Sequence, residues 1–270
     1  DSVLWLLENG AIATQICWVV PRDPWMINRA FTQPSAAFFQ ESYGGTMRQM
    51  EAVSQATSVD DLADRMDAAN LWMRLDPSVR PLIMHGPTVS TAELERLREV
   101  RDIVRMGHVE NIEPDKMELV GGTYSARPKT LYIDCTARAL GHTETCPIFS
   151  EDQITLQMIR LYQPTFSAAL IAKIETSFDN KEAKNALAAP VPMTDTVQSW
   201  LVSQIANVTN QLAWSRHSEI KEWINLCRLD GFGRAGREVD RLDPAVNEIY
   251  ERIKELAMPA FANMQRLAAT

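Results

Sequence analysis

In the opening stretch, "DSVLWLLENGAIATQICWVVPRD", a helix-spaced apolar segment is followed within a few residues by a short continuous apolar run. Val3, Leu4, Leu6 and Leu7 suit a short buried helix, and Gly10 stands where a left-handed residue would end it. Ile16 to Val20 is apolar throughout and closed by Pro21, which reads as a buried strand. Helix, turn and buried strand make half of a parallel βαβ unit, so an α/β fold is expected. An apolar helix with no element ahead of it has nothing to bury against, and we expect an N-terminal portion to be absent from this chain.

Beyond this unit, Met47, Met50 and Val53, then Leu62, Met66 and Leu71, carry a helical period, with Ser58 and Asp61 spaced as a helix start. "RPLIMHG" reads as a short strand, and Ser90 with Glu93 forms a capping box ahead of Leu94, Leu97, Val100 and Val104. Residues 107–135 are broken by Pro114-Asp115 and Gly121-Gly122 into short β-like runs, a small antiparallel meander that feeds a last apolar strand at Leu131–Cys135. From Gln153 the pattern is helical almost to the end, with a stripe at Val197, Trp200, Leu201, Ile205, Val208 and Leu212. A second stripe, Val246, Ile249, Tyr250, Ile253 and Leu256, follows an Asp243 cap with Pro244 at the first helical position.

The totals exclude several classes. A net charge of −8 argues against a nucleic-acid or anionic-membrane binder, since phosphate affinity needs clustered Lys and Arg. Hydrophobic residues make up 46% of 270, enough for a core, yet Glu8 and Asn9 interrupt the apolar opening, so no signal peptide or membrane span is expected there. The four cysteines are dispersed without a CxxC pair, which fits a reducing cytoplasm and no disulfide framework. Cys135, His142 and Cys146 lack both a zinc spacing and a fourth ligand, so no metal site is assigned. No Ser-His-Asp order or GxSxG turn is visible, and no catalytic residue is assigned. "GFGRAG" at 231–236 has the spacing of a dinucleotide-binding turn, but it follows a helix-spaced stripe, Ile220, Trp223, Ile224 and Cys227, rather than a strand. It reads as a loop between helices.

"DSVLWLLENG", "WVVPRDPWMINRAF", "LYIDCTARAL" and "ITLQMIRLYQPTFSAALIAKIE" together resemble the later part of the FAD- and NAD(P)-binding oxidoreductases, the flavoproteins with two dinucleotide-binding domains related to pyridine nucleotide-disulfide oxidoreductases and flavin-containing monooxygenases. The likeness covers roughly residues 1–175. It implies an incomplete Rossmann-like FAD/NAD(P)-binding core with a small antiparallel meander and a large helical C-terminal part. On this reading residues 1–105 are the remainder of an NAD(P)-binding domain with a helical insertion, 106–176 the returning segment of an FAD-binding domain, and 177–270 a helical region. Both glycine-rich phosphate turns would then precede residue 1.

The resemblance also implies site residues. Arg22, after the strand, falls where an arginine accommodates the 2′-phosphate of NADP and an acid such as Asp23 favours NAD. "DCTAR" matches an Ala-Thr-Gly turn beside the flavin and nicotinamide, giving Cys135, Thr136 and Ala137, with alanine in place of the glycine. "SEDQITLQ" would open a helix whose first turn, with Ile154 and Thr155, faces the flavin. The implied cofactors are FAD and NAD(P)H, and the implied activity is an FAD-dependent oxidoreductase in which NAD(P)H reduces the flavin, with a monooxygenase of a small organic substrate as its narrower form. The expected partner is that small molecule, with no nucleic acid and no membrane span, and homo-oligomer formation is left open. A competing expectation is a helical interaction or regulatory module derived from a flavoprotein and lacking cofactor binding.

Overall fold

In the computed structural model, which describes residues 1–136 and 144–270, the opening segment folds much as its pattern dictates. Helix α1 (Ser2–Glu8) buries Leu4 and Leu7 and is closed by Gly10 at φ +92°, with the Ala11 N–H donating to the Leu6 carbonyl at 2.9 Å. This six-to-one closure needs a left-handed residue, hence the glycine. Strand β1 (Cys17–Val19) follows, and its parallel partner is β5 (Asp102–Val104), with Trp18 opposite Ile103. Past Pro21 the chain runs into β2 (Met26–Asn28), the middle of a second sheet between β3 (Trp72–Met73), antiparallel, and β4 (Thr88–Val89), parallel.

Helices α2 (Phe39–Gln55) and α3 (Val59–Ala68) link β2 to β3, and α4 (Thr91–Leu97) lies between β4 and β5. Ser58 caps α3 by accepting from the Asp61 N–H at 3.1 Å. The capping box of α4 is complete: the Ser90 hydroxyl accepts from the Glu93 N–H at 3.1 Å and the Glu93 carboxylate accepts from the Ser90 N–H at 2.6 Å. Among the described residues parallel pairing is confined to β1–β5, β2–β4 and an isolated bridge, Pro24 to Ile83. The fold is mixed α/β with small sheets.

The meander forms as β6 (Val109–Ile112), β7 (Lys116–Leu119) and β8 (Gly122–Ser125), and packs Met117, Leu119 and Tyr124 against Cys17, Val19 and Val104 of the β1–β5 pair. The expected last strand does not form: Leu131–Cys135 is irregular and exposed, with Leu131 at 82%. A strand needs a ladder for its N–H and C=O groups, and no described residue pairs with this one.

The helical part also starts later than its pattern suggests. Ile154 pairs with Phe149 across a tight reversal, and the first helix after it, α5 (Pro164–Ser177), begins at a proline whose missing N–H costs nothing at that position. After it come α6 (Lys181–Leu187), α7 (Val197–Arg216), α8 (Ser218–Leu226), α9 (Gly231–Glu238) and α10 (Pro244–Ala268). The "GFGRAG" segment is therefore neither a nucleotide turn nor an interhelical loop but most of α9, capped by Asp230, whose carboxylate accepts from the Gly233 N–H. Its glycines serve close approach: a Cβ on Gly236 would lie 2.1 Å from the Tyr43 hydroxyl, and one on Gly231 would lie 2.6 Å from Pro34.

The long C-terminal helix ties the chain together. Asn263 of α10 donates to the Val53 and Ala56 carbonyls at 2.6 and 2.8 Å, closing the end of α2, and Gln198 of α7 donates to the Ala268 carbonyl at 2.8 Å, closing the end of α10. The largest buried cluster runs from Trp25, Leu62, Met66 and Met84 through Met158 and Leu161 to Trp200, Leu201 and Met264. At its centre Trp72 meets Trp200 edge to face, with ring centroids 5.1 Å apart. No helix of the described residues is long and apolar enough to cross a membrane.

Candidate functional site

In parallel α/β sheets ligands gather beyond the carboxyl ends of the strands, because helix N-termini and loops converge there. β1 ends at Val19, and the residues just past it are Pro21, Arg22 and Asp23. The two charged side chains take opposite paths. Asp23 turns inward, is 6% exposed, and accepts two hydrogen bonds from the Arg105 guanidinium, at 2.8 Å from Nε and 3.1 Å from Nη2. A carboxylate held in this way has both oxygens committed and is screened from solvent. Arg22 turns outward, with 37% of its side chain exposed.

The outward arginine meets a partner the sequence did not signal. Its Nη1 lies 3.5 Å from Oδ2 of Asp195, while Oδ1 of the same carboxylate lies 2.6 Å from Nε2 of His85. The Asp195 carboxyl is held below the usual carboxylate range, chiefly by the His85 hydrogen bond and further by the charge of Arg22. Its backbone is fixed on both sides: the Asp195 N–H donates to the Ser199 hydroxyl at 2.8 Å, and its carbonyl accepts from the Met84 N–H at 2.9 Å. Behind it Tyr162 and Thr194 share a hydrogen bond at 3.0 Å. The Tyr162 ring lies against Gly86 so closely that a Cβ there would sit 2.7 Å away, and both residues have positive φ, +57° and +79°. Left-handed backbone at two contacting positions, one of them not glycine, is the kind of constraint that functional sites hold.

The remaining expected site residues do not join Arg22. Thr136 closes a local turn, its N–H and hydroxyl both donating to Oδ1 of Asp134 at 2.8 and 2.7 Å. Cys135 is exposed, with its sulfur 3.4 Å from the Ser2 hydroxyl at the start of α1. Ala137 lies outside the described residues. Ile154 and Thr155 sit in the reversal facing Phe149 and Ile148, not on the first turn of a helix, so the helix-terminus geometry expected there is absent. β-Branched residues beside an extended partner favour pairing over a helical turn. These four described residues thus fall in two separate local structures and form no flavin cradle by themselves. Among the described residues no three His, Cys, Asp or Glu side chains gather where they could hold a metal ion.

The chain is similar to two longer mycobacterial proteins, uncharacterized protein Rv2000 of Mycobacterium tuberculosis (strain H37Rv) and uncharacterized protein Mb2023 of Mycobacterium bovis, each 43% identical over 233 residues. The match takes in 85% of this chain and 43% of each relative, so the chain spans less than half the length of the curated relatives it matches. No family model and no solved structure matches it.

Proposed function

We propose that this chain is a dinucleotide-binding part of an NAD(P)H-using, FAD-dependent oxidoreductase acting on a small organic substrate. The observation that carries the reading is the arrangement at the carboxyl end of β1, where the acid that would select NAD is buried against Arg105 while Arg22 is presented outward. A guanidinium suits a phosphomonoester because its N–H groups match two phosphate oxygens at once. The helix-then-parallel-strand order of α1, β1 and β5 supports the same reading, as half of a Rossmann-like unit.

On this proposal Arg22 would hold and orient the 2′-phosphate at the adenosine end of NADP. When bound, a reduced nicotinamide dinucleotide supplies a hydride. The described residues do not fit a flavin, and no step is assigned to one within this chain. Cys135, Thr136, Ile154 and Thr155, the contacts the resemblance implies, lie in two separate turns. The dispersal of those residues is also the observation that favours a second reading, a helical interaction module that keeps a flavoprotein's outline without its cofactor.

The longer Mycobacterium tuberculosis relative separates the two. Purified from cells, it is expected to carry the visible absorption of a flavin and to consume NADPH. A colourless protein that consumes neither NADPH nor NADH, even after flavin is supplied, contradicts the oxidoreductase reading.

A further inference from the structure

The carboxylate of Asp195 bridges Arg22 and His85, one oxygen to each, as an oxygen pair of a phosphate would bridge two cationic or donating groups. It comes from the segment ahead of α7, a different part of the chain from β1, and its backbone is pinned by Ser199 and Met84, which sets where the carboxylate can reach. Arg22 has no other ion pair among the described residues, and its contact with Asp195 is long and half-exposed. An exposed pair of that length is weak, and the tighter hold on Asp195 is the 2.6 Å contact with His85.

We infer that Asp195 is an internal competitor for a phosphomonoester: Arg22 and His85 form the recognition pair for the 2′-phosphate of an NADP-type dinucleotide, and Asp195 holds their place until the phosphate displaces it. This rests on the dinucleotide reading above and deepens it, because it selects NADPH over NADH and names the residue that sets the margin. Asp195 keeps Arg22 ordered in the empty state, and its negative charge opposes the incoming phosphate. The buried Asp23 makes no such opposition, since Arg105 neutralises it.

The test measures binding of adenosine 2′,5′-bisphosphate, adenosine 5′-monophosphate and inorganic phosphate to the 270-residue chain and to Asp195→Asn, Arg22→Ala and His85→Gln, by calorimetry, with circular dichroism to verify folding. Asp195→Asn leaves both backbone hydrogen bonds in place. The inference expects the bisphosphate to bind the wild-type chain more tightly than the monophosphate, Asp195→Asn to tighten the bisphosphate alone by about three- to tenfold, and Arg22→Ala and His85→Gln to narrow the gap between the two nucleotides. If nucleotides bind but Asp195→Asn weakens or leaves unchanged the bisphosphate affinity, Asp195 is a positioning residue or a bystander and the inference is overturned while the dinucleotide reading stands. Binding of inorganic phosphate as tight as that of the bisphosphate reduces the pair to a bare anion site and overturns the nucleotide assignment. Binding of neither nucleotide by any variant overturns the reading and the inference together.

Discussion

Arg22 and Asp23 stand side by side in the "PRD" turn, and which of the two faces outward decides the charge this surface presents. The pair was legible in the sequence as two charges at a strand end, but the choice between them was not, because it depends on Arg105, which lies far along the chain. His85 and Asp195 were illegible for the same reason: 110 residues separate them, and neither sits in a motif. A second buried acid is held in the same way. Asp230, 3% exposed, accepts from Arg160 at 2.7 Å and from Arg237 at 3.1 Å while capping α9. Asp230→Ala leaves the largely buried Arg160 guanidinium without its carboxylate, while Arg237 can turn to solvent, and is expected to cost about 3 kcal/mol, read from the urea midpoint. A midpoint shift worth under about 1 kcal/mol would show the cluster to be solvated.

Elements whose signals are local are legible in the sequence. The capping residues of α3, α4 and α10 make the bonds expected of Ser58, Ser90 and Asp243, because a cap needs only its own first turn. Elements that depend on distant partners are not. Leu131–Cys135 has strand-forming residues and no ladder among the described residues, and the helical period from Gln153 gives no warning that Ile154 pairs with Phe149. The α4 box also carries a pH signature. The Glu93 carboxyl is held below the usual carboxylate range, first by the Ser90 N–H and also by Arg29. A depressed carboxyl contributes stability that is present above its ordinary pKa and is lost as pH falls through its lower folded value. Wild-type melting temperature is therefore expected to fall more steeply than that of Glu93→Gln as pH drops below about 4. Parallel curves for the two proteins would remove Glu93 from the acid limb.

On the scale of the whole molecule, the α/β class was legible from α1, β1 and the meander, whereas the way the parts join was not. The principal core draws Trp25 and Met84, Met158 and Leu161, and Trp200 and Met264 into one cluster, so the segments 1–105, 106–176 and 177–270 share their interior. That shared interior is what brings the loop ahead of α7 onto the carboxyl end of β1, and with it Asp195 onto Arg22. The central claim is that this end of the sheet binds an NADP-type dinucleotide. Its most direct test is calorimetric titration of the 270-residue chain and of Arg22→Ala with NADPH and NADH. We expect NADPH to bind the wild-type chain more tightly than NADH, and Arg22→Ala to lose about tenfold or more in NADPH affinity with NADH little changed. Equal affinity for the two, indifferent to Arg22→Ala, or no binding of either, would contradict the claim.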